Sequence, residues 1–99
     1  MSLTRVEIVA NRSIEEDLID LLNACGHGET FTLLHPVFGR GSSGRREASA
    51  VWPETNVVIL VFVATDEVSV LVDGLRDLKQ RFPREGLRCW QTPGAIRSV

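Results

Sequence analysis

The chain has 99 residues, of which 43% are hydrophobic and 24% charged, an ordinary globular composition that excludes a disordered or collagen-like protein. Its net charge of -2 gives no overall electrostatic reason to bind nucleic acid or an anionic membrane surface. Two cysteines, Cys25 and Cys89, are too few for a disulfide framework and lack zinc-ribbon spacing, so both read as reduced thiols. The length fits one domain over residues 1–99, and so small a domain leaves enough surface exposed to gain from association. Charges at Arg5 and Glu7 interrupt any signal-peptide-like start. The most apolar run, Val57 to Ala64, falls far short of the roughly 20 residues that a membrane-spanning helix needs. A cytoplasmic protein with no membrane insertion is expected.

Thr4 to Ala10 alternates around Val6 and Ile8 and predicts a first strand. Ser13-Ile14-Glu15-Glu16 has the form of a capping box, in which Ser13 accepts from the Glu16 amide and the Glu16 side chain reaches back. Ile14, Leu18, Leu21, Leu22 and Cys25 then recur at helical spacing, with Glu15, Glu16, Asp17 and Asp20 mostly opposite and near the positive end of the dipole. Gly26 and Gly28 supply an exit turn. Thr30 to Val37 predicts a second strand ending near Pro36, with Phe31, Leu33 and His35 on one face and Thr32 and Leu34 on the other.

Phe38 to Asn56 holds three glycines, three arginines, three serines and a proline without a sustained period, which predicts a long loop with room for one helical turn at Arg46 to Val51. Asn56 to Ala64 is apolar at almost every position and predicts a central strand covered on both faces. Thr65-Asp66-Glu67 caps a second helix, in which Val68, Leu71, Leu75, Leu78 and Phe82 form one face and Pro83 is the stop. Its basic end, Arg76, Lys79, Arg81 and Arg84, suits the helix dipole and needs no ligand. After a turn at Glu85-Gly86, Leu87 to Gln91 predicts a short last strand, and residues 92–99 a flexible tail.

This order predicts an α+β fold of the ferredoxin-like βαββαβ type. It has an antiparallel four-stranded sheet, two helices on one face, and a long loop between strands two and three. Two helices cover one face of a sheet, so the apolar residues on the other face of strand three need a cover. Another subunit is the simplest one, and the long loop folding back is the alternative.

Phe38-Gly39-Arg40-Gly41-Ser42-Ser43-Gly44-Arg45-Arg46 joins backbone freedom to guanidinium groups, a composition suited to anions. Gly39-x-Gly41-x-x-Gly44 matches the dinucleotide fingerprint as text, but it joins two antiparallel strands instead of opening a helix after a strand. A P-loop is excluded because no lysine and hydroxyl residue follow the glycines. The plainer reading is a solvated loop kept soluble by its arginines.

With these residues in place, the chain resembles the PII signal-transduction superfamily of small ferredoxin-like trimers. The resemblance rests on the order of elements, the Phe38-Gly39-Arg40 string that opens the loop, and the strand Val57 to Val63 running into Thr65-Asp66-Glu67. It implies a homotrimer that binds an adenine nucleotide between subunits at the base of the loop. Gly39, Arg40, Gly41, Gly44, Arg45, Arg46 and Arg88 would hold this effector. The 38–56 loop, with Ser42, Ser43 and Trp52, would engage a protein partner, an enzyme or a transporter, although the plainer and favoured role for Trp52 is to anchor the loop.

Three departures bear on this. Gly41 stands where the family has a glutamine that helps bind 2-oxoglutarate and magnesium. Phe82 to Gly86 is too short for the family's second phosphate-holding loop, leaving Arg84 and Arg88 as substitutes. The chain has no tyrosine to uridylylate. The resemblance therefore implies a divergent PII-like regulator, not an enzyme. Cys25, His27 and His35 keep a metal reading open, as in the similarly shaped divalent-cation-tolerance trimers called CutA-like. A ligand-free protein-interaction module is the third reading. No nucleophile elbow or metalloprotease helix is present; a Cys25–His27 dyad is conceivable, yet adjacent glycines and a helix-end location do not ensure thiolate activation.

Overall fold

The computed structural model describes residues 2–38 and 55–99. In chain order these form β1 (Leu3–Asn11), α1 (Glu15–Ala24), β2 (Phe31–Phe38), β3 (Thr55–Ala64), α2 (Val68–Arg81) and β4 (Leu87–Ala95). The strands make one antiparallel sheet in the order β2-β3-β1-β4, the ferredoxin-like arrangement expected from the order of elements. Strands β1 and β3 are central and pair without a shift from Leu3↔Ala64 to Asn11↔Asn56.

Alternation decides which side chains of this pair are buried. Val6, Ile8 and Ala10 of β1 and Val57, Ile59, Val61 and Val63 of β3 share one face and are lost to solvent. Leu18 and Leu22 of α1 and Val68, Leu71, Leu75 and Leu78 of α2 cover them, placing both helices on that face. Phe31 and Leu33 from β2 and Leu87 and Cys89 from β4 pack against the rim of the same core. The helices meet at Gly74, where an added side chain would run into Leu21.

Both helices start later than their caps predict. Asn11, the last residue of β1, accepts from the Ser13 amide at 2.9 Å and opens one 3-10 turn over Arg12–Ile14, so α1 begins at Glu15 without the Ser13–Glu16 box. The strand already holds Asn11 where the chain must swing onto the core face, and the extra turn buries Ile14. A second 3-10 turn, Thr65–Glu67, precedes α2. The Thr65 hydroxyl does not cap. It lies 2.9 Å from the Thr4 hydroxyl and 3.0 Å from that of Ser2, while the Thr65 amide donates to the Ser2 carbonyl at 3.0 Å. Of the two exit-turn glycines, Gly26 has the left-handed φ of 84° that ends α1.

Strand ends differ as well. β2 continues past Pro36 to Phe38, because the pairing shifts register between Leu34 and Val37. Pro36 sits in that unpaired stretch of an edge strand, where a residue without an amide donor is tolerated. β4 reaches Ala95 instead of Gln91, pairing Thr92 with Arg5 and Pro93 with Thr4, and after a further shift Ala95 with Leu3. The strand therefore takes in the first four residues of the expected tail. Among the described residues strand β3 is covered on one face, whereas Val58 and Leu60 on the other are half-buried and Phe62 is 53% exposed. The helical turn expected at Arg46 to Val51 lies outside the described residues.

Close approach at Gly74 generates a test. Replacing Gly74 with leucine should force α1 off α2 and cost about 1–3 kcal/mol, read as a lowered urea midpoint with an unchanged far-ultraviolet spectrum.

Candidate functional site

The fold sorts its connections to two ends of the sheet. At one end β1 finishes at Asn11, β2 at Phe38 and α2 at Arg81, while β3, β4 and α1 begin there. The long connection is closed at its root by the pairs Phe38↔Thr55 and Val37↔Asn56. Asn56 in turn pairs with Asn11, whose amide donates to the Gly86 carbonyl at 2.9 Å. The loop root and the α2–β4 turn are thus parts of one rim.

Lysine 79 holds the α2–β4 turn from within. Its Nζ donates to the Glu85 carbonyl at 2.7 Å and to the Pro83 carbonyl at 3.2 Å, which satisfies carbonyls beyond the last helical turn and sets the start of β4. Arg12, Arg84 and Arg88 are exposed around this rim. Arg12 follows β1, Arg84 lies in the turn, and Arg88 sits beside Val9 in the β4 ladder. The Arg88 guanidinium stands 5.9 Å from the centre of the Trp90 ring, within cation–π range. These groups can hold an anion beside a flat aromatic surface. Arg84 and Arg88 were legible as lone cations in the sequence; Arg12 joins them through the antiparallel neighbourhood of β1 and β4.

The sheet face away from the helices is the second feature. Leu34, Phe62 and Trp90 are 47%, 53% and 49% exposed on it, with Val9, Val58 and Leu60 half-buried between them. Among the described residues the ion pair on this face is Arg5–Glu7, two residues apart on β1, at 3.0 Å.

Of the residues singled out in the sequence, Gly39, Arg40, Gly41, Ser42, Ser43, Gly44, Arg45, Arg46 and Trp52 lie outside the described residues, and Arg88 is placed on the rim. Cys25, His27 and His35 are not brought together. Cys25 and His27 form the exit of α1, where the His27 amide donates to the Leu22 carbonyl at 2.8 Å. His35 lies at the opposite end of that helix, 3.6 Å from Glu15. Among the described residues no group of three or more histidine, cysteine or acidic side chains is arranged to hold a metal ion.

Cys89 faces the helices from the edge strand, and burial pushes its thiol up from the ordinary value. Being neutral in the folded chain, it contributes stability below the unfolded thiol's pKa and loses that contribution as pH rises through the folded one. The stability gap between the wild type and Cys89→Ala should therefore narrow on the alkaline side of about pH 9, measured by urea unfolding at several pH values.

No family model matches the sequence, and no curated protein does. Among solved structures the chain is similar to CPII, a nitrogen regulatory PII-like protein from Thiomonas intermedia K12 bound to ADP, AMP and bicarbonate. The TM-score is 0.74 at 22% identity, covering 98% of this chain and 97% of that one. The same protein bound to ADP, AMP and acetate matches with a TM-score of 0.73 at 19% identity, covering 98% of this chain and 90% of that one. A DUF3240 family protein from Shewanella baltica OS155 matches with a TM-score of 0.74 at 14% identity, covering 100% of this chain and 97% of that one. The chain has the PII-like fold that the sequence resemblance implied. Among the described residues no helix is long and apolar enough to cross a membrane.

Proposed function

We propose that this chain is a PII-like regulator, not an enzyme, which assembles as a homotrimer and binds a small anionic effector of the adenine-nucleotide class at the loop root. The observation that carries this reading is the near full-length likeness to a PII-like protein crystallised with ADP, AMP and bicarbonate. The open sheet face supports the assembly: an apolar surface with Phe62, Leu34 and Trp90 about half exposed is costly in water, and identical copies cover it most simply. The cationic rim supports the ligand class, since guanidinium groups form paired charge-assisted hydrogen bonds with phosphate oxygens.

In this reading Arg88, with Arg12 and Arg84 nearby, meets the effector's phosphates from the rim. Gly39, Arg40, Gly41, Gly44, Arg45 and Arg46 meet it from the loop. Ser42, Ser43 and Trp52 are left to contact a protein partner, an enzyme or a transporter. The effector would act by its differential affinity for alternative loop states, so its occupancy selects the partner. The metal-tolerance reading is weaker, because His35 stands apart from Cys25 and His27.

Assembly and binding separate in experiment. Phe62→Asp should convert the trimer to monomers in analytical ultracentrifugation; a wild type that is itself monomeric would remove the assembly. ADP, AMP or ATP at 100 times its dissociation constant should add about 2.7 kcal/mol per site and raise Tm by roughly ten degrees or more. Arg88→Ala should weaken nucleotide binding about tenfold by calorimetry while leaving the fold intact. Silence towards all three nucleotides would overturn the effector class.

A further inference from the structure

His35 and Glu15 meet where β2 approaches the first turn of α1. The imidazole Nε2 lies 3.6 Å from Glu15 Oε1, beyond hydrogen-bond range, and that oxygen is buried with no hydrogen-bond partner. A buried carboxylate oxygen without a donor is costly, and a charged donor beside it is the direct remedy. The neighbouring backbone can yield, because the ladder between β2 and β3 is interrupted from Leu34 to Val37. Two residues beyond His35, Val37 and Phe38 resume the pairing that forms the loop root.

We propose that His35 and Glu15 form a proton-operated latch that ties the end of β2 to α1 and so sets the loop root. When the imidazole takes a proton, both ring nitrogens become donors, and the cation draws the Glu15 carboxylate from a slack contact into a charge-assisted hydrogen bond. The latch closes as pH falls and slackens as pH rises. The surrounding charges are few. Glu16, Asp17 and Asp20 are the other acidic residues of α1, and Asp17 is engaged with Arg81 at 3.6 Å. Arg12 lies in the turn before α1, and β3 has no ionisable side chain between Thr55 and Ala64. Among the described residues Glu15 is the one carboxylate within ion-pair distance of His35. The latch requires no nucleotide, so it stands or falls separately from the effector reading.

The test follows the backbone amide resonances of Val37, Phe38 and Thr55 in the full chain as pH is lowered from about 8 to about 5.5, without nucleotide. In the wild type these three should move together with the His35 ring signals. In Glu15→Gln the three amides should stay in place over the same range, and in His35→Gln they should stay in place as well. If Glu15→Gln does not fold, His35→Gln decides. Amides that do not move in the wild type, or that move equally in the folded variants, would overturn the latch.

Discussion

The molecule depends on the shift-free pairing of β1 with β3. Because side chains alternate along a strand, this register sends Val6, Ile8 and Ala10 to the same face as Val57, Ile59, Val61 and Val63, and a slip of one residue would exchange the faces of the sheet. Helix placement, core membership and the residues left on the open face all follow from it. The two helices have enough apolar surface for one side. The other side is left with Leu34, Phe62 and Trp90 about half exposed, so among the described residues the sheet is apolar on both faces but covered on one.

A division between the two ends of the sheet follows from the same antiparallel order. One end is stapled by hydroxyl groups, with Thr65 bridging Thr4 and Ser2 where β3 hands the chain to α2. The opposite end gathers the loop root, the acidic start of α1, the basic finish of α2 and the turn held by Lys79. The apolar core lies between them. Side chains at the second end can therefore vary without disturbing the packing that determines the fold.

Much of this was legible in the sequence because periodicity reports burial. Val57 to Ala64 and the spacing of Leu18 with Leu22 or Leu71 with Leu75 and Leu78 identify strand, helix and core from one-dimensional pattern alone. Caps and strand ends were less legible because remote residues compete for the same groups. Ser13 has the right neighbour for a capping box, yet Asn11, held by the strand, reaches the turn first. Thr65 is a good cap by type, but its hydroxyl is drawn to Thr4, 61 residues away. Thr92 to Ala95 has a weak strand pattern, and it pairs because β1 extends far enough to receive it. The rim is legible as charge and only partly as geometry: alternation along β4 puts Arg88 and Trp90 on one face, whereas the place of Arg88 beside Val9 depends on two strands far apart in sequence. Cys25, His27 and His35 look close in sequence, and a whole helix separates His35 from the other two.

The pair Phe38↔Thr55 gives the long connection a fixed doorway in the sheet. Chain entropy for a closed segment grows only with the logarithm of its length, so doubling the segment would cost about 0.6 kcal/mol. The cost of closing that doorway is therefore nearly independent of how long the segment is. A lineage that inherits this scaffold can lengthen or shorten the segment at that small entropic cost while keeping every core residue.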